Sequence, residues 1–174
     1  ERYEHKYEYC DLLIAGTGPS GLASAYAAAK NGAKVILAED KSRYGGSLLT
    51  SEVTIGNQSG QEWAEQIISE LKSMPNVIVK NRSQVFGYYD HNMLVMSERV
   101  SDHLPKTDKY TPKQRLWYIR AEEVVISSGS IERPLVFGNN DAPGVMLSSA
   151  AKEYLKIYGV LVGKKPIIFT NNDS

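Results

Sequence analysis

Apolar and polar positions divide this chain into alternating short runs and longer periodic stretches. Leu12-Leu13-Ile14-Ala15 is a continuous apolar run of strand length. It is followed by a glycine-rich turn and an Ala-rich stretch to Lys30, where Asn31-Gly32 is a helix stop. Val35-Ile36-Leu37-Ala38 is a second buried strand. Ser59-Gly60-Gln61-Glu62 opens a helix to about Ser73, with Trp63, Ile67, Ile68 and Leu71 on one face. Pro75-Asn76 ends it, and Val77-Ile78-Val79 reads as a strand beside the first two. The runs 83–90, 93–100 and 114–120 form an antiparallel meander, turning first at Asp90-His91-Asn92, with a polar loop over 101–113. Val124 to Gly129 returns as a buried strand. Ser148 or Ser149 caps a helix to about Tyr158, with Ala151, Leu155 and Tyr158 facing inward and Gly159 as its stop. Lys164 to Thr170 looks like the first strand of a following unit.

This order sets the expected organisation. Residues 1–9, polar and aromatic without a clear period, are a lead-in or surface arm. Residues 10–163 are one domain containing the meander at about 83–120, and 164–174 begin a further domain, cut short. The chain starts at Glu1 without Met and stops just after an apolar run, so it reads as a piece of a longer protein.

Candidate chemistry concentrates between Asp11 and Asp40. Strand, Gly16-Thr17-Gly18-Pro19-Ser20-Gly21, helix and second strand make a βαβ unit carrying the dinucleotide fingerprint. Gly16 permits the tight turn, Gly18 lets backbone approach a pyrophosphate, and Gly21 brings helix against sheet. Ala25 and Ala29 extend that small-residue face, and Pro19 costs nothing in a first helical turn. The helix N-terminus offers unpaired N–H groups and a partial positive charge to phosphates. Glu39 lies 23 residues beyond Gly16, close to the spacing of about 20 for a carboxylate that accepts ribose hydroxyls. An acid there favours a free 2′-hydroxyl over a 2′-phosphate. Gly45-Gly46, six and seven residues further on, allow close backbone approach to a ligand, and the 124–129 strand delivers Ser128 and Gly129 to the same end of a parallel sheet. The candidate cofactor-binding set is Gly16, Gly18, Pro19, Ser20, Gly21, Glu39, Asp40, Gly45, Gly46, Ser47, Ser128 and Gly129.

Composition narrows the classes. The 174 residues suffice for one domain with a sizeable core, and 20 basic residues balance 20 acidic ones. That balance gives no global field for nucleic acid or an anionic membrane, and no apolar run reaches the length of a membrane span. The single cysteine, Cys10, cannot form an internal disulfide or a redox-active pair, and a cytoplasmic setting is expected. His5, His91 and His103 are scattered and show no metal-ligand spacing, so no metal site and no catalytic side chain are assigned. The 11 tyrosines read as strand and surface packing, and Arg133 as a salt-bridge or phosphate contact.

The order of these features resembles the flavoproteins with two dinucleotide domains, which include glutathione and thioredoxin reductases. Five strings are more specific: VFGYYDHN (85–92), ERVSDHLP (98–105), QRLWYIRA (114–121), SGSIERPLVF (128–137) and FTNNDS (169–174). They strongly resemble the alpha subunit of heterotetrameric sarcosine oxidase, over nearly all of Tyr9 to Ser174. The resemblance implies a fragment of that subunit's N-terminal region: an α/β, Rossmann-like, three-layer FAD/NAD(P)-binding domain with a parallel sheet and an antiparallel meander. It further implies NAD as the bound dinucleotide and other subunits of a hetero-oligomeric amine oxidase as partners. The complex would oxidise sarcosine at an FAD in another subunit, with tetrahydrofolate accepting the one-carbon unit. Ser127-Ser128-Gly129 stands where the wider class shows Ala-Thr-Gly. Three alternatives remain open at this point: an FAD-binding domain of a stand-alone reductase, an alpha subunit of a proline or opine dehydrogenase, and a scaffold without ligand.

Overall fold

The computed structural model describes residues 2–171, in two bodies, one running to Gly129 and the other starting at Ser130. The first opens with β1 (Tyr3–Ala15), α1 (Pro19–Lys30) and β2 (Val35–Ala38). A short hairpin, β3 (Thr54–Ile55) and β4 (Gln58–Ser59), leads into α2 (Gly60–Ser73) and β5 (Val77–Lys80). Then come β6 (Ser83–Tyr89), β7 (Met93–Arg99) and β8 (Gln114–Ile126). Six strands form one sheet in the order β5-β2-β1-β8-β7-β6, parallel from β5 to β8 and antiparallel from β8 to β6.

Alternation along the central strands separates two cores. Leu12 and Ile14 of β1, with Val35 and Leu37 of β2, meet Leu22, Ala25 and Ala29 of α1 and Ala64, Ile67, Ile68 and Leu71 of α2. On the opposite face Leu13, Ile36 and Ala38 pack with Leu94 and Met96 of β7 and Trp117, Ile119 and Ala121 of β8. Helices, parallel strands and meander thus make the three expected layers. The Asn81-Arg82 link explains how one sheet supplies two of them. β5 and β6 are the two outermost strands in pairing order, yet only two residues join them, so the sheet must curl back on itself. Backbone bonds from Ser83 N to Glu39 O (2.7 Å) and from Arg82 N to Lys41 O (2.9 Å) tie the returning edge to the end of β2.

α2 is bounded as its sequence indicates. Ser59 accepts from the Glu62 amide, and the Glu62 carboxylate accepts from the Ser59 amide, a reciprocal capping box. Replacing Ser59 with Ala is expected to cost about 1 kcal/mol, read as a lower urea midpoint with unchanged slope.

Two expectations for the first body need correction. Residues 3–9 are not an arm but the first half of β1, paired with β8 from Tyr3↔Gln114 onward. Both faces of this half carry polar groups, so it shows no apolar contrast: Tyr7 stacks on Tyr118 outside, and Lys6 lies over the Trp117 ring inside (4.3 Å). The meander's last strand and the returning strand are also one element, β8. Glu122-Glu123 interrupts the apolar run and reads as a break, but parallel pairing with β1 carries the strand straight through.

In the second body α3 (Ser148–Tyr158) ends at Gly159 in the left-handed conformation. Its N-cap is Leu147, not a serine. Glu132 supplies the acceptor instead, taking the Ser149 amide (2.8 Å) and the Ser148 hydroxyl (2.9 Å), and these bonds hold its carboxyl down at about 2. Leu155 and Tyr158 are 50% and 67% exposed. Residues 164–170 are not in a strand, and Ile167 and Ile168 are exposed. The rest of that expected domain start, 172–174, lies outside the described residues.

Candidate functional site

The carboxyl ends of β2, β1 and β8 lie side by side, and the chain runs outward from β1 to β2 and β5 before returning to β8 on the other side. β1 is therefore where the strand order reverses, the place where open α/β sheets have their ligand crevice. Gly16 leaves β1 at φ +109, its amide donating to Ala38 O (2.8 Å). A Cβ on Gly16 would lie 2.3 Å from the Ser127 carbonyl oxygen, so the first glycine is required by the neighbouring strand end. Ser127 seals that contact: its amide donates to Ala15 O (2.8 Å), and its Oγ lies 3.0 Å from the carbonyls of Ala15 and Gly16.

The three fingerprint glycines have different surroundings. Gly21 is buried, and a Cβ there would sit 2.1 Å from Gly16 O. Gly18, the N-cap of α1, has ordinary extended dihedrals and nothing within 4 Å of where its Cβ would be. No side chain caps this helix, and Pro19 and Ser20 are exposed. An uncapped helix start beside open space at Gly18 is a cradle that a side chain would fill, which fits a phosphate group.

Glu39 is 6% exposed at the end of β2. One carboxylate oxygen, Oε2, accepts from the Thr17 amide (3.1 Å) and the Thr17 hydroxyl, and Oε1 accepts from the Lys41 amide (3.0 Å). Burial raises its pKa and the neighbouring Asp40 carboxyl adds to that. The bonds from Thr17 and Lys41 pull the other way without cancelling it. The second glycine pair reaches the same centre. Gly45 N donates to Thr17 Oγ1 (3.2 Å), and Gly46, at φ +52, is so close that a Cβ would lie 2.9 Å from Gly18 Cα.

The structure thus gathers Gly16, Gly18, Gly21, Glu39, Gly45 and Gly46 around the glycine turn, with Pro19 and Ser20 on the first turn of α1. Asp40 is exposed, its carbonyl taken by Arg99 Nη2 (2.8 Å), and Ser47 is the second residue of the single turn Gly46–Leu49. Ser128 and Gly129 follow Ser127, just past the end of β8, and are exposed, Gly129 at φ +73. Two residues outside the sequence-based set, Thr17 and Ser127, hold the arrangement together. Thr17 occupies a variable position of the fingerprint. Its one sequence signal is a hydroxyl between two glycines, where a buried acid 22 residues on needs a donor.

This strand-turn-helix at a reversal of strand order, backed by a meander on the far face, is a Rossmann-like fold of the FAD-binding flavoprotein class. Residues 11–108 match the family described as FAD dependent oxidoreductase, and the chain belongs to that family. Over all of its length it is 45% identical to the alpha subunit of sarcosine oxidase from Rhizobium meliloti (strain 1021), of which it spans 18%. It is 26% identical, over 93% of the chain and 33% of the relative, to an opine oxidase subunit of Agrobacterium tumefaciens (strain Ach5). The crystal structure of L-proline dehydrogenase from P. horikoshii superposes with a TM-score of 0.73 at 23% identity, covering 92% of this chain and 31% of that one, a likeness of fold.

Proposed function

We propose that this chain is the NAD-holding part of a sarcosine-oxidase-like alpha subunit. It would act in a flavoenzyme complex that oxidises sarcosine or a similar secondary amine, with tetrahydrofolate taking up the one-carbon unit. Similarity to sarcosine oxidase alpha subunits along the whole chain supports the complex and its other subunits as partners. The observation that carries the ligand is the Glu39 carboxylate at the end of β2, across Thr17 from an uncapped helix start. In this reading the first turn of α1 and Gly18 face the pyrophosphate, Glu39 accepts ribose hydroxyls, and Gly46 and Ser47 close over the phosphates. Ser128 and Gly129 line the far side, and Asp40 stands at the adenosine end. The nicotinamide of the bound group would supply hydride chemistry, while this chain binds and orients and contributes no catalytic side chain. A cytoplasmic setting belongs to the same reading. Among the described residues no helix is long and apolar enough to cross a membrane.

FAD is the second reading, favoured by the family match. NAD and FAD share their ADP half, so the glycine turn, the helix start and Glu39 serve either. The test is titration of the full chain with NAD, FAD and ADP by calorimetry, after recording its visible spectrum. NAD binding by a colourless protein, weakened about tenfold or more by Glu39→Ala, is the expected outcome. Absorption near about 450 nm or a preference for FAD transfers the assignment to the flavin. Failure to bind any of the three overturns both.

A further inference from the structure

One hydroxyl joins the glycine turn, the Glu39 carboxylate and the Gly45–Gly46 pair. Thr17 is wholly buried, and its Oγ1 donates to Glu39 Oε2 while accepting the Gly45 amide. A carboxylate oxygen accommodates about two donors, and Oε2 already receives both the hydroxyl and the amide of Thr17. Oε1 accepts the Lys41 amide, and the Asp40 carboxyl stands beside the same acid at the exposed end of β2. Gly45 lies directly before Gly46, which touches Gly18, so any shift of Thr17 Oγ1 reaches the glycine pair as well as the acid.

We propose that Thr17 is a positioning residue for ribose recognition. Its hydroxyl fixes the Glu39 carboxylate and, through the Gly45 amide, links it to the Gly45–Gly46 turn, so that ribose binding and the placing of that turn over Gly18 are coupled. The inference rests on the dinucleotide reading and adds a residue and a linkage to it.

The test compares ADP with 2′,3′-dideoxy-ADP, which lacks the ribose hydroxyls, on the full chain. The unmodified chain is expected to prefer ADP by about tenfold, the scale of a hydrogen bond to a charged group. Thr17→Val removes the hydroxyl at nearly constant shape and is expected to bind both ligands about equally, whereas Thr17→Ser restores the preference. Thr17→Ala takes its place if Thr17→Val does not fold. A second measurement needs no variant: in hydrogen exchange ADP should protect the Gly45 amide and dideoxy-ADP should not. A merely structural role for Thr17 would weaken both ligands alike and leave their ratio near tenfold, which overturns the inference, as does equal protection of Gly45 by both. Absence of ADP binding to the unmodified chain overturns the dinucleotide reading itself, and the two failures are thereby distinguished.

Discussion

Replacement of Glu98 by Ala should unfold the back of this domain more readily than any other single charge change. Glu98 lies on β7 with its side chain 9% exposed, between two other strands of the curled sheet. Lys80 of β5 donates to Oε1 (2.9 Å), while Arg115 (3.0 Å) and the Trp117 indole N–H (2.7 Å), both of β8, donate to Oε2. Arg115 reaches on to Glu4 of β1 (3.0 Å), so one network crosses four strands at the closure of the sheet. Removing the acid leaves a buried indole N–H and the Lys80 ammonium without their acceptor, and leaves Arg115 with Glu4 alone. A broken buried pair costs about 3–5 kcal/mol, and the lower end applies because Lys80 and Arg115 keep 29% and 23% exposure and can turn to water. Chemical denaturation of Glu98→Ala should show a loss of about 3 kcal/mol; a loss under about 1 kcal/mol would mean that the apolar packing of Trp117 alone holds the closure.

Acid should act on the same group. Burial alone would raise the Glu98 pKa, but the bonds from Lys80 and Trp117 and the charges of Lys80 and Arg115 outweigh it and hold the carboxyl below the ordinary 4.5. Its folded-state value is therefore depressed, so its stabilisation is present in full above 4.5 and lost as pH falls through the lower folded value. Glu98→Gln should flatten that part of the stability curve.

The sequence showed some of this plainly and hid the rest for physical reasons. β1's apolar end, α1, β2, α2 and β5 were legible because each buries one face or both in a dry core, which writes a period of two or 3.6 into the residues. The first half of β1 was not: His5, Lys6 and Glu8 face water or charged partners, and only pairing with β8 makes a strand of them. Nor was the closure, since Lys80 and Glu98 are 18 residues apart and meet only because Asn81-Arg82 bends the sheet back. In the site, the glycines and Glu39 were visible by spacing. Thr17 and Ser127 were not, because a lone hydroxyl has no period and acts through a partner 22 or 111 residues away.

Gly18→Ala and Gly21→Ala should separate the site from the fold that carries it. At Gly21 a Cβ would stand 2.1 Å from the Gly16 carbonyl, backbone that is itself fixed by β2 and β8, so neither side can yield without parting α1 from the sheet. That substitution should cost at least about 3 kcal/mol and take any ligand binding with it. Gly18 differs in every respect that matters to stability. Its φ of −65° suits any residue, a Cβ there meets nothing within 4 Å, and Ala loses less backbone entropy than glycine on folding. Thermal unfolding of Gly18→Ala should therefore stay close to that of the unmodified chain, the entropy gain being offset by the poorer fit of Ala at an N-cap. Binding should still suffer, because the added methyl occupies the open space beside the uncapped start of α1, where phosphate oxygens would approach the backbone. An affinity for ADP lower by about tenfold or more, in a variant of nearly unchanged stability, is the expected result. Undiminished affinity would mean that the space beside Gly18 is not where a phosphate lies, and the dinucleotide would have to enter the crevice without the helix N-terminus.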